Sequence, residues 1–259
     1  MSAATKTGLD TLVSASLETS ELAKGFTTPM NDLLKCGVSK IVLHFNSDNT
    51  ITIRGLNDNR NCICMVDYNE DLITAVDIKS ECDFGIYELG EFVSLSNVFN
   101  GGNDFTVYED YSATVEYESA SFKFRGSDVD AIKEGPQSLS ASLQWFAEFK
   151  WEGSAFSTFV TALSRLGQNY VRFEGKAGDT TMKMTVCDKD IPTSTFTANI
   201  DLEDEVEEDF KVILNKENLQ PIIGGSVKNL KVQISNQLVY FSGSSDYHDV
   251  KYYVSTVES

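Results

Sequence analysis

Short segments in which apolar and polar residues alternate make up most of the chain. Alternation predicts β-strands, because successive side chains on a strand point to opposite faces of a sheet. The first half predicts strands at 40–46, 50–56, 61–68, 104–110, 112–119 and 121–126, and the second half at 145–152, 170–177, 181–188, 195–202, 229–235, 238–243 and 250–257. Short turns rich in Asn, Asp, Gly and Ser separate most of them, which favours antiparallel meanders.

Four segments have the spacing of amphipathic helices instead. In residues 154–167 apolar positions recur every three or four residues, with Ser154 able to cap the start and Gly167 the end. Residues 19–37 predict a second helix, which Pro29 is expected to kink or split. The other two helices lie within 84–102 and 210–225, where a strand passes directly into a helix that stops at a glycine pair.

The order of these elements repeats along the chain. Each half runs strand, helix, three strands, a strand leading directly into a second helix, and three more strands, with Phe84 and Phe210 at equivalent places. We therefore predict an α+β fold of two tandem duplicated domains, residues 1–127 and 144–259, each with antiparallel sheets and two helices. Residues 128–143 carry Gly, Ser and Pro and are predicted to connect them.

Charge restricts the partners of this chain. Its 39 acidic and 21 basic side chains give a formal net charge of −18, which repels nucleic acids and membranes alike, so any DNA contact must be local. No stretch approaches the ~18 apolar residues of a membrane helix, and the N-terminus lacks a secretory signal pattern. We expect a cytoplasmic protein without a membrane partner.

The sequence contains no recognisable catalytic motif. Phosphate-binding, dinucleotide-binding, nucleophile-elbow and zinc-protease patterns are all absent, and His44 and His248 are the only histidines. Cys62 and Cys64 would share one face of a strand, but a metal site needs more ligands, so buried thiols are favoured. We expect no catalytic residue, no metal and no cofactor.

The outer faces of the helices are poor in carboxylates although the chain is acidic. Opposite the apolar stripes lie hydroxyls, amides and isolated cations, the groups that position proteins on phosphate oxygens without reading bases. They include Lys24, Thr28, Asn31 and Lys35 on the first helix, Ser94, Asn97 and Asn100 on the second, Thr158, Thr161 and Arg165 on the third, and Lys216 and Gln220 on the fourth.

In element order and in local sequence the chain resembles DNA sliding clamps of the PCNA and tailed-phage type. Ile86, Tyr87, Glu88 and Leu89, followed by Phe92 and Val93, are similar to the Ile-Tyr-Asp-Leu and Phe-Leu pattern of phage clamps. Residues 250–254, Val-Lys-Tyr-Tyr-Val, resemble a strand near the C-terminus of PCNA, and residues 154–167 its third helix. The resemblance covers nearly the whole chain.

This resemblance implies a non-enzymatic processivity factor. It implies a homotrimeric ring that encircles double-stranded DNA, tethers a replicative DNA polymerase and is loaded by an ATP-dependent clamp loader, in phage or viral replication or in a cell. The location would then be the host cytoplasm for a viral protein and the nucleus for a eukaryotic one. The DNA-facing residues it implies are Lys24, Lys35, Lys40, Arg165, Lys216 and Lys228.

The resemblance also implies two protein-binding surfaces. Subunits would join through edge strands, with Phe122 and Phe124 of one subunit against Phe196 and Ile200 of the next. Partner peptides would bind a pocket beneath the connector, formed by Leu56, Ile132, Leu238, Val239, Tyr253 and Val254.

Three other functions remain open. A structural or interaction β protein, such as a virion component with a duplicated sandwich, would show no preference for cations over carboxylates on its helices. A monomeric polymerase accessory subunit would need a markedly basic face, against which the net charge of −18 argues. A hydrolase would need a site that no motif reveals.

Overall fold

A computed structural model describes residues 9–99, 102–136, 143–152, 154–188 and 195–257. The chain divides into two compact units, the first formed by Met1–Asp58, Cys64–Gly135 and Ser245–Asp249, and the second by Asn59–Ile63, Pro136–Ser244 and Val250–Ser259. Within the described part of the chain, no helix is long and apolar enough to cross a membrane.

The first half of the chain supplies nine strands and three helices of the described structure. In order they are β1 (Thr11–Leu17), α1 (Ser20–Lys35), β2 (Ile41–Phe45), β3 (Ile51–Leu56), β4 (Cys62–Tyr68), α2 (Glu70–Ile73), β5 (Val76–Ile78), β6 (Cys82–Ile86), α3 (Leu89–Ser96), β7 (Asn103–Tyr108), β8 (Ser112–Tyr117) and β9 (Ala120–Arg125). One sheet has the order β5-β1-β7-β8-β9, the strands β6-β2-β3-β4 are also adjacent in that order, and α1 packs on α3. A 3-10 turn, Val129–Ala131, follows β9.

The second half repeats this plan. Its elements are β10 (Ala147–Trp151), α4 (Ser154–Arg165), β11 (Tyr170–Gly175), β12 (Thr181–Cys187), β13 (Phe196–Asp201), β14 (Phe210–Asn215), α5 (Lys216–Ile223), β15 (Leu230–Ile234), β16 (Leu238–Ser244) and β17 (His248–Ser255). The strands are ordered β10-β15-β16-β17 and β13-β12-β11-β14, and α4 packs on α5.

The strand orders confirm the predicted duplication and the α+β class. The order β6-β2-β3-β4 in the first unit corresponds to β14-β11-β12-β13 in the second, and β1-β7-β8-β9 corresponds to β10-β15-β16-β17. In both halves a strand runs almost directly into a helix, from β6 to α3 and from β14 to α5. The first half differs by an insertion, α2 and β5, which the sequence pattern did not predict.

Aromatic side chains fill the core between helices and sheets. In the first unit Phe105 lies at the centre, with its ring centroid 5.4 Å from Phe26 of α1, 6.2 Å from Phe92 of α3 and 6.3 Å from Phe84 of β6. Burying one such side chain contributes roughly 1.5–3 kcal/mol. The predicted apolar stripes of the helices are therefore the faces that hold them on the sheets.

The first helix is not split at Pro29, which was one of the two expected effects of that residue. The structure has one unbroken helix, Ser20–Lys35, with Pro29 buried inside it. The side chain of Thr19 accepts a hydrogen bond from the amide of Leu22 at 3.2 Å and caps the start. Packing of the helix on its unit outweighs the loss of one internal hydrogen bond at the proline.

Candidate functional site

Strand β9 lies at the end of its sheet, and half of its main-chain amides point away from that sheet. The amide of Gly126, just after β9, donates to Tyr111 O at 2.7 Å, on the side of β8. Amides of an antiparallel strand alternate in direction, so the amides that point outward belong to Ser121, Lys123 and Arg125. Their side chains are exposed as well.

Strand β13 presents a second edge of the same kind. It lies at the end of the order β13-β12-β11-β14, and the amide of Leu202 donates to Thr180 O at 2.9 Å, on the side of β12. The same alternation turns the amides of Thr197, Asn199 and Asp201 outward, again with exposed side chains. Each unit therefore offers one six-residue edge strand with free pairing capacity along its described length.

Other outermost strands are covered or very short. Strand β5 has only three residues. Irregular segments donate main-chain hydrogen bonds to three more strands, from Ser127 to Gly85 of β6 at 2.8 Å, from Glu203 to Glu148 of β10 at 3.0 Å, and from Val257 to Ile213 of β14 at 2.8 Å. Proteins block edge strands in these ways to prevent unwanted pairing, so the openness of β9 and β13 marks them as candidate assembly sites.

Several helix cations are already engaged inside the chain. Lys35 Nζ lies 2.9 Å from Asp32 Oδ1 in the last turn of α1. Lys216 Nζ donates to Leu166 O at 2.9 Å, just beyond α4, and Lys228 Nζ donates to Gly225 O at 2.6 Å, just beyond α5. The ammonium groups of Lys216 and Lys228 neutralise carbonyl groups at helix ends, a structural role that sequence reasoning did not assign.

The remaining predicted DNA-facing cations are more available. Lys24 on α1 and Arg165 on α4 are exposed. Neither of them forms an ion pair with another described residue. Lys40 Nζ lies 3.8 Å from the centroid of the Tyr87 ring, which holds it by a cation–π contact. The assignment of these six residues to a DNA-facing surface stays a prediction.

One serine and one histidine come close to a catalytic arrangement. Ser245 Oγ lies 3.0 Å from His248 Nδ1, but it also accepts hydrogen bonds from the amides of Tyr247 and His248 at 3.3 and 3.2 Å. His248 is 2% exposed, and burial lowers its pKa although Asp32 and Asp249 act in the opposite sense. The Ser245 hydroxyl accepts hydrogen bonds from amides of its own turn, and the imidazole of His248 beside it is buried. This pair therefore stabilises the turn.

Metal chemistry finds no support among the described residues, where no group of three His, Cys, Asp or Glu side chains could hold an ion. Cys62 and Cys64 are 1% and 0% exposed and form no disulfide.

The described fold matches known structures over nearly its whole length. No protein-family model matches the chain, and no curated protein matches it in sequence. Proliferating Cellular Nuclear Antigen from Entamoeba histolytica superposes with a TM-score of 0.74 at 14% identity, covering 96% of this chain and 100% of that one. The chain has the fold of a PCNA sliding clamp. A. fulgidus PCNA, solved with the C-terminal region of FEN-1, gives 0.73 at 16% identity over 95% and 99%. The PCNA2-PCNA3 complex from Sulfolobus tokodaii gives 0.71 at 12% over 94% and 98%.

In this clamp fold the four side chains predicted at the subunit joint pack against core residues, although Phe122, Phe124 and Phe196 remain partly exposed. Ring centroids are 5.7 Å apart for Phe122 and Phe99, 5.3 Å for Phe124 and Phe92, and 6.1 Å for Phe196 and Phe159, while Ile200 is 4% exposed. The joint itself stays a prediction. The fully exposed groups of β9 and β13 are main chain and polar side chains, which apolar patterning alone could not single out.

The residues predicted for the partner pocket of the clamp differ in exposure. Val239 and Val254 are both 0% exposed and Ile132 is 5% exposed, whereas Leu56, Leu238 and Tyr253 are partly exposed. The Tyr253 ring packs on Tyr240 with centroids 4.8 Å apart. Within this set, direct contact with a partner rests on the partly exposed side chains, and the pocket stays a prediction.

Proposed function

We propose that this chain is a sliding clamp, a non-enzymatic processivity factor that forms a homotrimeric ring around double-stranded DNA. The observation that carries the proposal is the pair of open edge strands, β9 and β13, on a chain with the PCNA fold throughout. Pairing β9 of one copy with β13 of the next satisfies both edges at once, and repetition of that head-to-tail contact closes a ring when the rotation between subunits divides a full turn.

Charge supports encirclement as the means of holding DNA. With a net charge of −18, the chain gains little from adhesion to a polyanion. A few exposed cations such as Lys24 and Arg165 on helix faces make weak, sequence-independent phosphate contacts. A ring held by topology needs only such contacts, and weak contacts allow sliding.

The partners that follow are a DNA polymerase and an ATP-dependent clamp loader. A separate ATPase is expected to load the ring, because a closed ring cannot move onto DNA at a position away from a free end without being opened. The A. fulgidus PCNA structure contains the C-terminal region of FEN-1, which supports peptide binding as the way partners attach to this fold.

Retention on linear DNA with removable end blocks tests the proposal. Purified protein at micromolar concentration is incubated with a linear duplex whose ends are then blocked by bound streptavidin, and retention is measured by gel filtration. We expect retention with blocked ends and loss when a nuclease removes one block. Equal binding to blocked and open DNA would mean simple adhesion, and a uniform monomer without any retention would reject the ring.

Matched variants test the lining. Lys24→Gln and Arg165→Gln should shorten retention and reduce its dependence on salt, since each removes one phosphate contact per subunit. Lys150→Gln is the control, because Lys150 is 64% exposed on β10 and lies 3.6 Å from Glu203 Oε1. If the control weakens retention as much as the helix variants, the helix faces do not contact DNA.

A further inference from the structure

A histidine on the first unit is held between two carboxylates. His44 Nδ1 lies 2.8 Å from Asp83 Oδ1, and His44 Nε2 lies 2.7 Å from Glu134 Oε1. Carboxylate oxygens only accept hydrogen bonds, so both ring nitrogens must carry protons for both contacts to be favourable. The geometry fits an imidazolium and disfavours a neutral ring.

Glu134 belongs to the start of the connector and lies 90 positions from His44 along the chain. The same segment is also attached to β6 by two further contacts. Ser127 N donates to Gly85 O, and the 5% exposed side chain of Ile132 packs over Gly85, where an added Cβ would meet Ile132 Cδ1 at 3.1 Å. Of these three attachments, only the one at Glu134 depends on a titratable group.

We propose that His44, Asp83 and Glu134 form a protonation-dependent clasp that fastens residues 127–135, which lead into the connector and include its start, to strands β2 and β6. With His44 protonated, one cation bridges two anions that would otherwise repel each other. Loss of the proton leaves a lone pair against one carboxylate, which removes one hydrogen bond and both charge attractions. The proposal does not depend on the clamp function.

Other groups near His44 do not replace this arrangement. On β3, His44 pairs with Thr52, which is uncharged, and Arg54 lies two pairs further along, opposite Val42. On the connector, Lys133 sits between Ile132 and Glu134 and is exposed. The charged groups that touch the ring are therefore Asp83 and Glu134, which is also why they control its titration.

The direction of the pH effect follows from the titration of His44. Burial alone would lower its pKa, but the hydrogen bonds and charges of Glu134 and Asp83 outweigh burial and raise the pKa above 6.5. A raised histidine pKa means that the stabilisation is fully present below 6.5 and is lost as pH rises through the folded-state value. The start of the connector should thus be held more tightly in mild acid than in base.

Hydrogen exchange of the full chain, followed by mass spectrometry at pH 5.5 and pH 8.5 with correction for intrinsic rates, tests the clasp. We expect exchange of residues 127–135 to be several-fold faster at the higher pH, since each unit of pKa elevation changes the ratio of fastened to loosened molecules up to about tenfold. His44→Gln and Glu134→Gln should abolish that difference. Lys133→Gln, which changes a neighbouring exposed charge, should preserve it.

Three outcomes would overturn the proposal. They are equal corrected exchange at both pH values in the wild type, a pH difference that persists in Glu134→Gln, and a difference that Lys133→Gln removes as fully as Glu134→Gln does. Folding of each variant is checked by exchange in β7 and β8, which should match the wild type.

Discussion

Replacing Lys123 by proline should weaken subunit association without unfolding the chain. The amide of Lys123 points away from β8, so its loss removes no hydrogen bond within the sheet. Proline is tolerated on edge strands when its missing amide faces solvent, and Phe122, the residue before it, is already in the extended conformation that proline requires. The perturbation therefore acts on the outer edge of β9.

The size of the effect follows from the hydrogen bonds of a six-residue joint. The three outward amides of β9 belong to Ser121, Lys123 and Arg125, and Lys123→Pro removes the central one. The partner carbonyl then loses its donor inside the joint, which costs about 1–3 kcal/mol. Since about 1.4 kcal/mol corresponds to a tenfold change in affinity, each joint should weaken roughly 5- to 150-fold.

Light scattering over a concentration series measures this change. The midpoint at which rings dissociate should move to higher protein concentration in Lys123→Pro, while circular dichroism and thermal unfolding stay close to the wild type. Lys123→Gln is the control, because it keeps the amide and removes only the side-chain charge, which makes an exposed contact 3.7 Å from Asp110 and would face the acidic edge of β13. Exposed charge pairs contribute little, so this variant should shift the midpoint much less than Lys123→Pro. A folded proline variant with an unchanged midpoint would refute the edge-pairing argument.

Three further predictions concern stability and docking. Gly85→Ala should speed hydrogen exchange of residues 127–135, because its Cβ would meet a connector backbone oxygen at 2.6 Å, whereas the control Gly167→Ala meets nothing within 4 Å. Phe92→Ala should lower the free energy of unfolding by about 3–5 kcal/mol in urea titrations, since Phe92 is 0% exposed. In a His44→Gln background, the free energy of unfolding should fall as pH drops below 6.5. The reason is that burial lowers the pKa of His248 in the folded chain, so the unfolded chain binds a proton at a higher pH. A free energy of unfolding that stays constant between pH 7 and pH 5 would contradict this prediction.

The fold was largely predictable because its signals are local. Alternation located thirteen strands to within a few residues, and the strand that runs into a helix appeared twice, so duplication could be read from the order of elements. The expectation that Pro29 could split the first helix was wrong, because a local rule for helix breaking ignores the packing that holds α1 together. The insertion of α2 and β5 was missed because four and three residues are too few to show a period.

The candidate site was less predictable because it depends on contacts distant in sequence. Nothing in the pattern around Lys216 reveals that its ammonium group reaches Leu166 O, 50 positions earlier. Nor does any spacing relate His44 to Glu134. The open edges are a matter of main-chain direction and of what covers neighbouring strands, and hydrophobic patterning carries no information on either.

The charges on the two open edges argue for joining unlike edges. Strand β9 exposes Lys123 and Arg125, while β13 exposes Asp201 and uncharged Thr197 and Asn199. Pairing β9 with a second β9 would place cations opposite cations, which is destabilising, whereas pairing β9 with β13 brings opposite charges together. A contact between unlike edges is heterologous, and such contacts yield closed rings or open filaments, but not two-fold dimers. A single discrete mass in light scattering, independent of concentration above the dissociation midpoint, would therefore distinguish the ring from the filament.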